Sequence, residues 1–208
     1  MSDEALRQAA REAAASLGEG ARAQLLRQRL RSGELSAPQL RRAAALGYAP
    51  AAHALGIAAP QGDLAEHGEA FLATCHLTDS VRVALAAARA AAAVCEADDA
   101  GPVRRLLGAL GELVGDIDLS ESQDEVDASL EPLNPRTPLV MGQPSFPPDA
   151  PPGYWARQAA FEAGRATQHP QLFRVHAHCA VVFAARAVGE GGVRDALEAE
   201  FLPELTGG

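Results

Sequence analysis

An all-α fold is predicted: an irregular bundle of about eight or nine helices, built from helical hairpins and carrying one long acidic and proline-rich loop. Three observations predict it. Alanine is abundant, aromatic residues make up 4% of the 208 residues, and β-branched runs are nearly absent, a balance that favours helix over sheet. Apolar residues recur three and four apart in one stretch after another. Glycine and proline fall between those stretches, at the positions where helices stop and start.

Residues 3–17 read as a first helix, capped by Ser2 or Asp3 and ended by Gly18 and Gly20. Residues 21–32 form a second, with Leu25, Leu26 and Leu30 on its apolar side and arginines opposite. A tight hairpin follows over residues 36–56. Ser36 caps its first helix, Pro38 sits in the first turn, and Gly47 ends it; Pro50 opens the second helix and Gly56 closes it. Residues 64–74 are a further helix, weakened by Gly68. Asp79 or Ser80 caps a strong helix to Glu96, with Val81, Leu85, Ala88, Ala92 and Cys95 on one face and Arg82, Arg89 and Glu96 toward water. Residues 98–102 make a turn, and 103–114 a helix striped by Val103, Leu106, Leu107, Leu110 and Leu113.

Residues 116–152 change character. Seven acids crowd 116–131, and eight of the 14 prolines fall in 132–152. The expectation is an extended excursion with no fixed helix, anchored between Leu130 and Phe146 by scattered apolar residues. Helices follow over 154–167 and from Pro170 to Val188, the latter expected to be the most buried of all because Cys179–Ala185 is apolar on every side. Gly189–Gly192 breaks it before a last helix with Val193, Leu197 and Phe201. The chain thus divides into N-terminal hairpins (1–58), a helical core (59–115), the excursion (116–152) and C-terminal helices that complete the same core (153–208).

Ala43-Ala44-x-x-Gly47-x-x-x-Ala51-x-x-x-Leu55-Gly56 resembles the core of a Sel-like repeat, a relative of the tetratricopeptide repeat. The resemblance implies a helical hairpin of the kind that stacks into protein-binding scaffolds. Ile57-Ala58-Ala59-Pro60 stands where that family carries a tyrosine and a glycine-rich turn, and no second copy follows, so a single hairpin unit is expected rather than a solenoid. The candidate binding residues on and beside it are Arg27, Arg31, Arg41, Arg42 and Tyr48. Residues 80–114 resemble helical-bundle immunity proteins that neutralise the toxins of neighbouring bacteria: an alanine-rich helix ends in Glu96 before the acidic turn Asp98-Asp99 and an Arg104-Arg105 helix.

The net charge is −9 and uneven, with eight arginines against five acids in residues 1–58 and ten against 22 in the rest. That balance argues against nucleic-acid binding, which needs cations to replace phosphate counterions. All 18 basic residues are arginine; Arg, Ala, Gly and Pro share GC-rich codons, which points to the genome of a GC-rich bacterium rather than to a need for guanidinium. The acidic start Met1-Ser2-Asp3-Glu4 lacks an apolar leader, no run is long enough to span a bilayer, and three dispersed cysteines fit a reducing compartment, so a cytoplasmic protein without membrane contact is expected. The oligomeric state is left open.

For chemistry, His176 and Cys179 at i, i+3 and the pair Cys75-His76 are zinc-ligand types, whereas His176 and His178 lie about 200° apart on a helix and cannot share a site. Cys179 aligns with Val175 and Phe183 as a core position would, so packing is preferred to metal binding there. Asp116, Asp118, Ser120, Asp124 and Asp127 fall at calcium-loop spacing, but Glu121 replaces the required glycine and a solvated acidic loop is the reading. Glu66-His67 is an unexceptional adjacent pair. No catalytic residue and no cofactor is assigned. The leading expectation is a non-catalytic, adaptor- or scaffold-like protein that binds another protein; the alternatives are an immunity-like toxin neutraliser, or a metal-binding protein or enzyme built on the dispersed Cys and His.

Overall fold

The computed structural model describes residues 18–58, 64–115, 119–134, 139–140, 143–144, 146–147 and 149–206, and the fold is an all-α multi-helix bundle. The helix expected over 3–17 lies outside the described residues. The helices are α1 (Glu19–Ser32), α2 (Ala37–Ala45), α3 (Ala49–Leu55), α4 (Leu64–Ala73), α5 (Leu77–Ala92), α6 (Ala97–Gly115), α7 (Leu119–Leu130), α8 (Pro152–Gln168), α9 (Phe173–Phe201) and the short α10 (Pro203–Thr206). A 3-10 turn, Glu131–Leu133, follows α7. The strand pairing among the described residues is a two-residue ladder, Leu139–Val140 antiparallel to Gln143–Pro144.

The hairpin α2–α3 is built by local chemistry. Ser36 and Gln39 form a reciprocal capping box: the Gln39 N–H donates to Ser36 Oγ and the Ser36 N–H to Gln39 Oε1. At the other end Gly47 adopts φ 93°, so that the N–H of Tyr48 reaches the carbonyl of Ala43 and that of Gly47 the carbonyl of Ala44. Gly56 closes α3 in the same way, with Ile57 donating to Ala52. Helix α1 packs on α3 rather than on its chain neighbour, and α2 packs on both α3 and α4. Leu26, Leu35, Leu40, Ala43, Ala44, Ala51 and Ala52 make a small core of their own, to which the far end of the chain contributes Leu205.

The main core is larger and centres on α5, which packs against α6, α8 and α9. Ser80 to Ala88 are buried except for Arg82, so α5 is buried nearly all round rather than on one face. Its alanines meet those of α8, where Ala156, Ala159, Ala160 and Ala163 are fully buried. The helix expected to be the most buried, the first half of α9, leaves Val175 55% exposed; α5 and α8 occupy the interior instead.

Helix α5 ends at Ala92 rather than Glu96, α9 begins at Phe173 rather than Pro170, and the expected break at Gly189–Gly192 narrows to a kink within α9 at Gly189 (φ 80°, ψ 158°). Three further differences from the sequence reading have a clear physical cause. Helix α5 begins at Leu77, not after Asp79 or Ser80: the Ser80 N–H bonds the His76 carbonyl, and Asp79 sits in the first turn, where a carboxylate meets the positive end of the helix dipole. Helix α6 begins at Ala97, ahead of the expected turn at 98–102. Asp98 and Asp99 occupy its first turn and Pro102 lies inside it, forfeiting one backbone bond near the helix start. The acidic part of the excursion folds as α7, where no helix was expected. Val126, Leu130 and Leu133 recur at i, i+4 and i+7 and are buried in the main core, while Asp124, Glu125 and Asp127 face water. Further on, Phe146 packs on Trp155 and Phe183, with ring centroids 6.1 and 5.0 Å away.

Close approach explains two glycines. A Cβ on Gly164 of α8 would lie 2.5 Å from Leu130 Cδ2, so α7 seats on α8 only because that position is bare. A Cβ on Gly68 of α4 would lie 2.9 Å from His178 Nδ1, which accounts for the residue that weakens α4 as a sequence pattern.

Gly164→Ala should therefore lower stability by about 1–3 kcal/mol through overpacking. Gly108→Ala, in the middle of α6 with open space around it, should raise stability by about 0.5–1 kcal/mol through helix propensity. Urea denaturation of the two variants beside the parent checks both signs.

Candidate functional site

The sequence-derived candidates divide into structural and exposed residues. Arg27 donates from Nε to the carbonyl of Ala54 at 3.1 Å and from Nη2 to that of His53 at 2.5 Å, capping the C-terminus of α3. Arg42 is buried: its Nη1 donates to Asp79 Oδ2 at 2.8 Å and its guanidinium lies 6.0 Å from the Phe201 ring. These two arginines are part of the framework, not of a solvated basic face. Arg31 and Arg41 are exposed, and Tyr48 is half-buried against the small core.

Cys75 is buried, its Sγ donating to the carbonyl of Phe71 at 3.6 Å, whereas the neighbouring His76 is exposed at the head of α5. Among the described residues, no three or more His, Cys, Asp or Glu side chains come together in a metal-holding group, so Cys75-His76 and His176-Cys179 do not form one centre. Asp124 and Asp127 sit on a helix rather than in a calcium loop; Asp116, Asp118 and the Glu66-His67 side chains lie outside the described residues.

What the fold does assemble is a cluster at the turn between α8 and α9. His176 Nδ1 lies 2.6 Å from Glu162 Oε2, one turn and a half before the end of α8. Both side chains are largely buried, at 12% and 17% exposure. With the carboxylate as acceptor, Nδ1 carries a proton, and in the neutral ring the second nitrogen, Nε2, then holds a lone pair. That Nε2 is buried and has no hydrogen-bond partner among the described residues. The ring of His169, which terminates α8, lies 5.4 Å from that of His176, centroid to centroid and tilted by 33°. His169 borders an open surface hollow of about 290 Å³ with Pro170, Gln171 and Leu172.

The sequence reading found His176 but neither Glu162 nor His169. Glu162 lies on another helix, and His169 is separated from His176 by the Pro170 turn, so no helical spacing links the three. Cys179, one turn along α9, is not a ready nucleophile. Burial, reinforced by the Glu162 carboxylate, pushes its thiol up to about 11. Burial does the same to Cys75, also to about 11, against the opposing pull of Arg42.

No protein-family model matches the chain, and no curated protein or solved structure matches it. No helix among the described residues is long and apolar enough to cross a membrane.

The two thiols make a pH prediction. Their ordinary value is 9.0 and the folded value about 11, so the folded chain holds protons that the unfolded chain releases between those limits. This stabilisation is complete below pH 9 and is lost as pH rises toward 11. Urea midpoints measured from pH 8 to 11 should fall, and the fall should be smaller in Cys75→Ala, whose lost proton-linkage leaves a flatter profile even if its overall stability is lower.

Proposed function

We propose that this chain is a non-catalytic interaction protein, adaptor- or scaffold-like in kind, that binds another protein in the cytoplasm and engages neither nucleic acid nor membrane. The observation that carries this reading is the packing of α1 to α4. Each helix of the α2–α3 hairpin lies against the helix two positions away in the chain, α1 on α3 and α2 on α4. Stacked helical-hairpin scaffolds use the same alternation, because it leaves one row of helices free to face a partner. Arg31 and Arg41 are exposed on this unit, and Ile57, immediately after α3, is 50% exposed. Exposed apolar and arginine side chains are among those that protein interfaces use.

The test uses affinity capture with the purified full chain as bait, followed by mass spectrometry, in parallel with an Arg31→Glu/Arg41→Glu/Ile57→Asp variant. All three positions are exposed, so the variant should keep its helical circular-dichroism spectrum. A protein retained by the parent and reduced at least tenfold on the variant is the expected result. Equal retention on both, or no specific retention by the parent, would overturn the reading.

A further inference from the structure

We propose that His169 and His176, with Glu162 behind them, form a two-imidazole site for a first-row divalent ion of the kind that prefers nitrogen ligands, such as zinc or nickel. The inference is independent of the protein-binding reading above and rests on a different part of the molecule.

The chemistry starts from the orphaned nitrogen. His176 Nε2 is buried and unpartnered among the described residues, a condition that in folded proteins calls for an explanation. Its other nitrogen is fixed by the Glu162 carboxylate at 2.6 Å. This is the arrangement that holds metal-binding histidines: the carboxylate selects the tautomer, orients the ring and makes the free nitrogen a better donor. His169 supplies the second imidazole. Two imidazoles on one ion, each bonded at about 2.0–2.1 Å in tetrahedral directions, set their ring centroids a little over about 5 Å apart. The observed separation of 5.4 Å matches. The remaining coordination positions are left to solvent, which reaches His169 from the open hollow beside Pro170 and Leu172. Neutral imidazoles suit zinc, nickel and copper, and offer little to magnesium or calcium, which take oxygen.

The site also accounts for the position of the two residues in the fold. His169 ends α8 and His176 lies in the first turns of α9, so one ion would clamp the two helices across the Pro170 turn.

Equilibrium dialysis of the full chain against zinc chloride and nickel chloride, with magnesium chloride as control and metal measured by plasma mass spectrometry, decides the matter. One zinc or nickel per chain, and no magnesium, is expected. His169→Ala should abolish that stoichiometric binding. Glu162→Gln should weaken it about 10–100-fold while both imidazoles remain. A His53→Ala/His76→Ala double variant, which removes two exposed imidazoles elsewhere, should bind as the parent does. His176→Ala removes a buried ring and is read only if its circular dichroism matches the parent; His169→Ala and Glu162→Gln suffice without it. Zinc binding no stronger than magnesium binding would overturn the proposal. So would binding that survives His169→Ala, or that disappears in the His53/His76 variant, since either places the metal on other histidines. Loss of binding in Cys179→Ser would overturn the two-imidazole assignment as well.

Discussion

Everything else in this bundle depends on the close approach of α5 to α8 and α9. A helix buried on nearly all sides must present side chains small enough for several neighbours at once. Ala84, Ala87, Ala88 and Ala91 do this on α5, and Ala156, Ala159, Ala160 and Ala163 do it on α8. Small residues give little apolar area each. The compensation is contact: backbones that approach closely recover dispersion over their whole length. Large aromatic side chains complete the same core. Trp155 stacks on Phe183 at 5.5 Å, Phe146 packs onto that pair, and Phe71 meets Phe201 edge-on at 6.3 Å.

A second constraint joins the two cores. Arg42 of α2 reaches Asp79 of α5, Arg82 lies near the same carboxylate and pairs with Glu200 of α9 at 2.8 Å, and Phe201 lies beneath both guanidinium groups. Charges so placed are stabilising only while each keeps its partner, because desolvation is expensive and removal of one member strands another. The network therefore contributes orientation more than energy: it fixes the direction in which the α1–α3 unit leaves the main core. The end of the chain reinforces the joint. Leu205 enters the small core, and the Arg29 guanidinium donates to its carbonyl.

The candidate functional features lie on different helices of this framework. The exposed arginines belong to the α1–α3 unit, whose geometry comes from caps and tight turns. The histidine–glutamate cluster belongs to the α8–α9 turn, whose geometry comes from two long helices anchored in the main core. The two helices hold the Glu162–His176 contact, and His169, at the turn between them, borders an open surface hollow beside it. A buried hydrogen-bonded imidazole next to an accessible one divides the labour of a site between orientation and access.

The amino-acid sequence determined the all-α class, most helices and the punctuation between them. Ser36 with Gln39, Gly47 at φ 93° and Gly56 at φ 69° act on backbone groups only a few residues away, so their effect is written locally. The tertiary structure decided what depends on distant groups. Helix α7 exists because Val126, Leu130 and Leu133 find a surface on α6 and α8, and because Gly164 leaves room for Leu130; the acids around them hid that stripe. Arg42 became an interior residue because Asp79 waits 37 positions along the chain. Glu162, His169 and His176 became neighbours because the Pro170 turn folds α9 back beside α8. Capping and periodicity are short-range effects, recorded residue by residue, whereas burial and side-chain partnership arise only when separate helices meet.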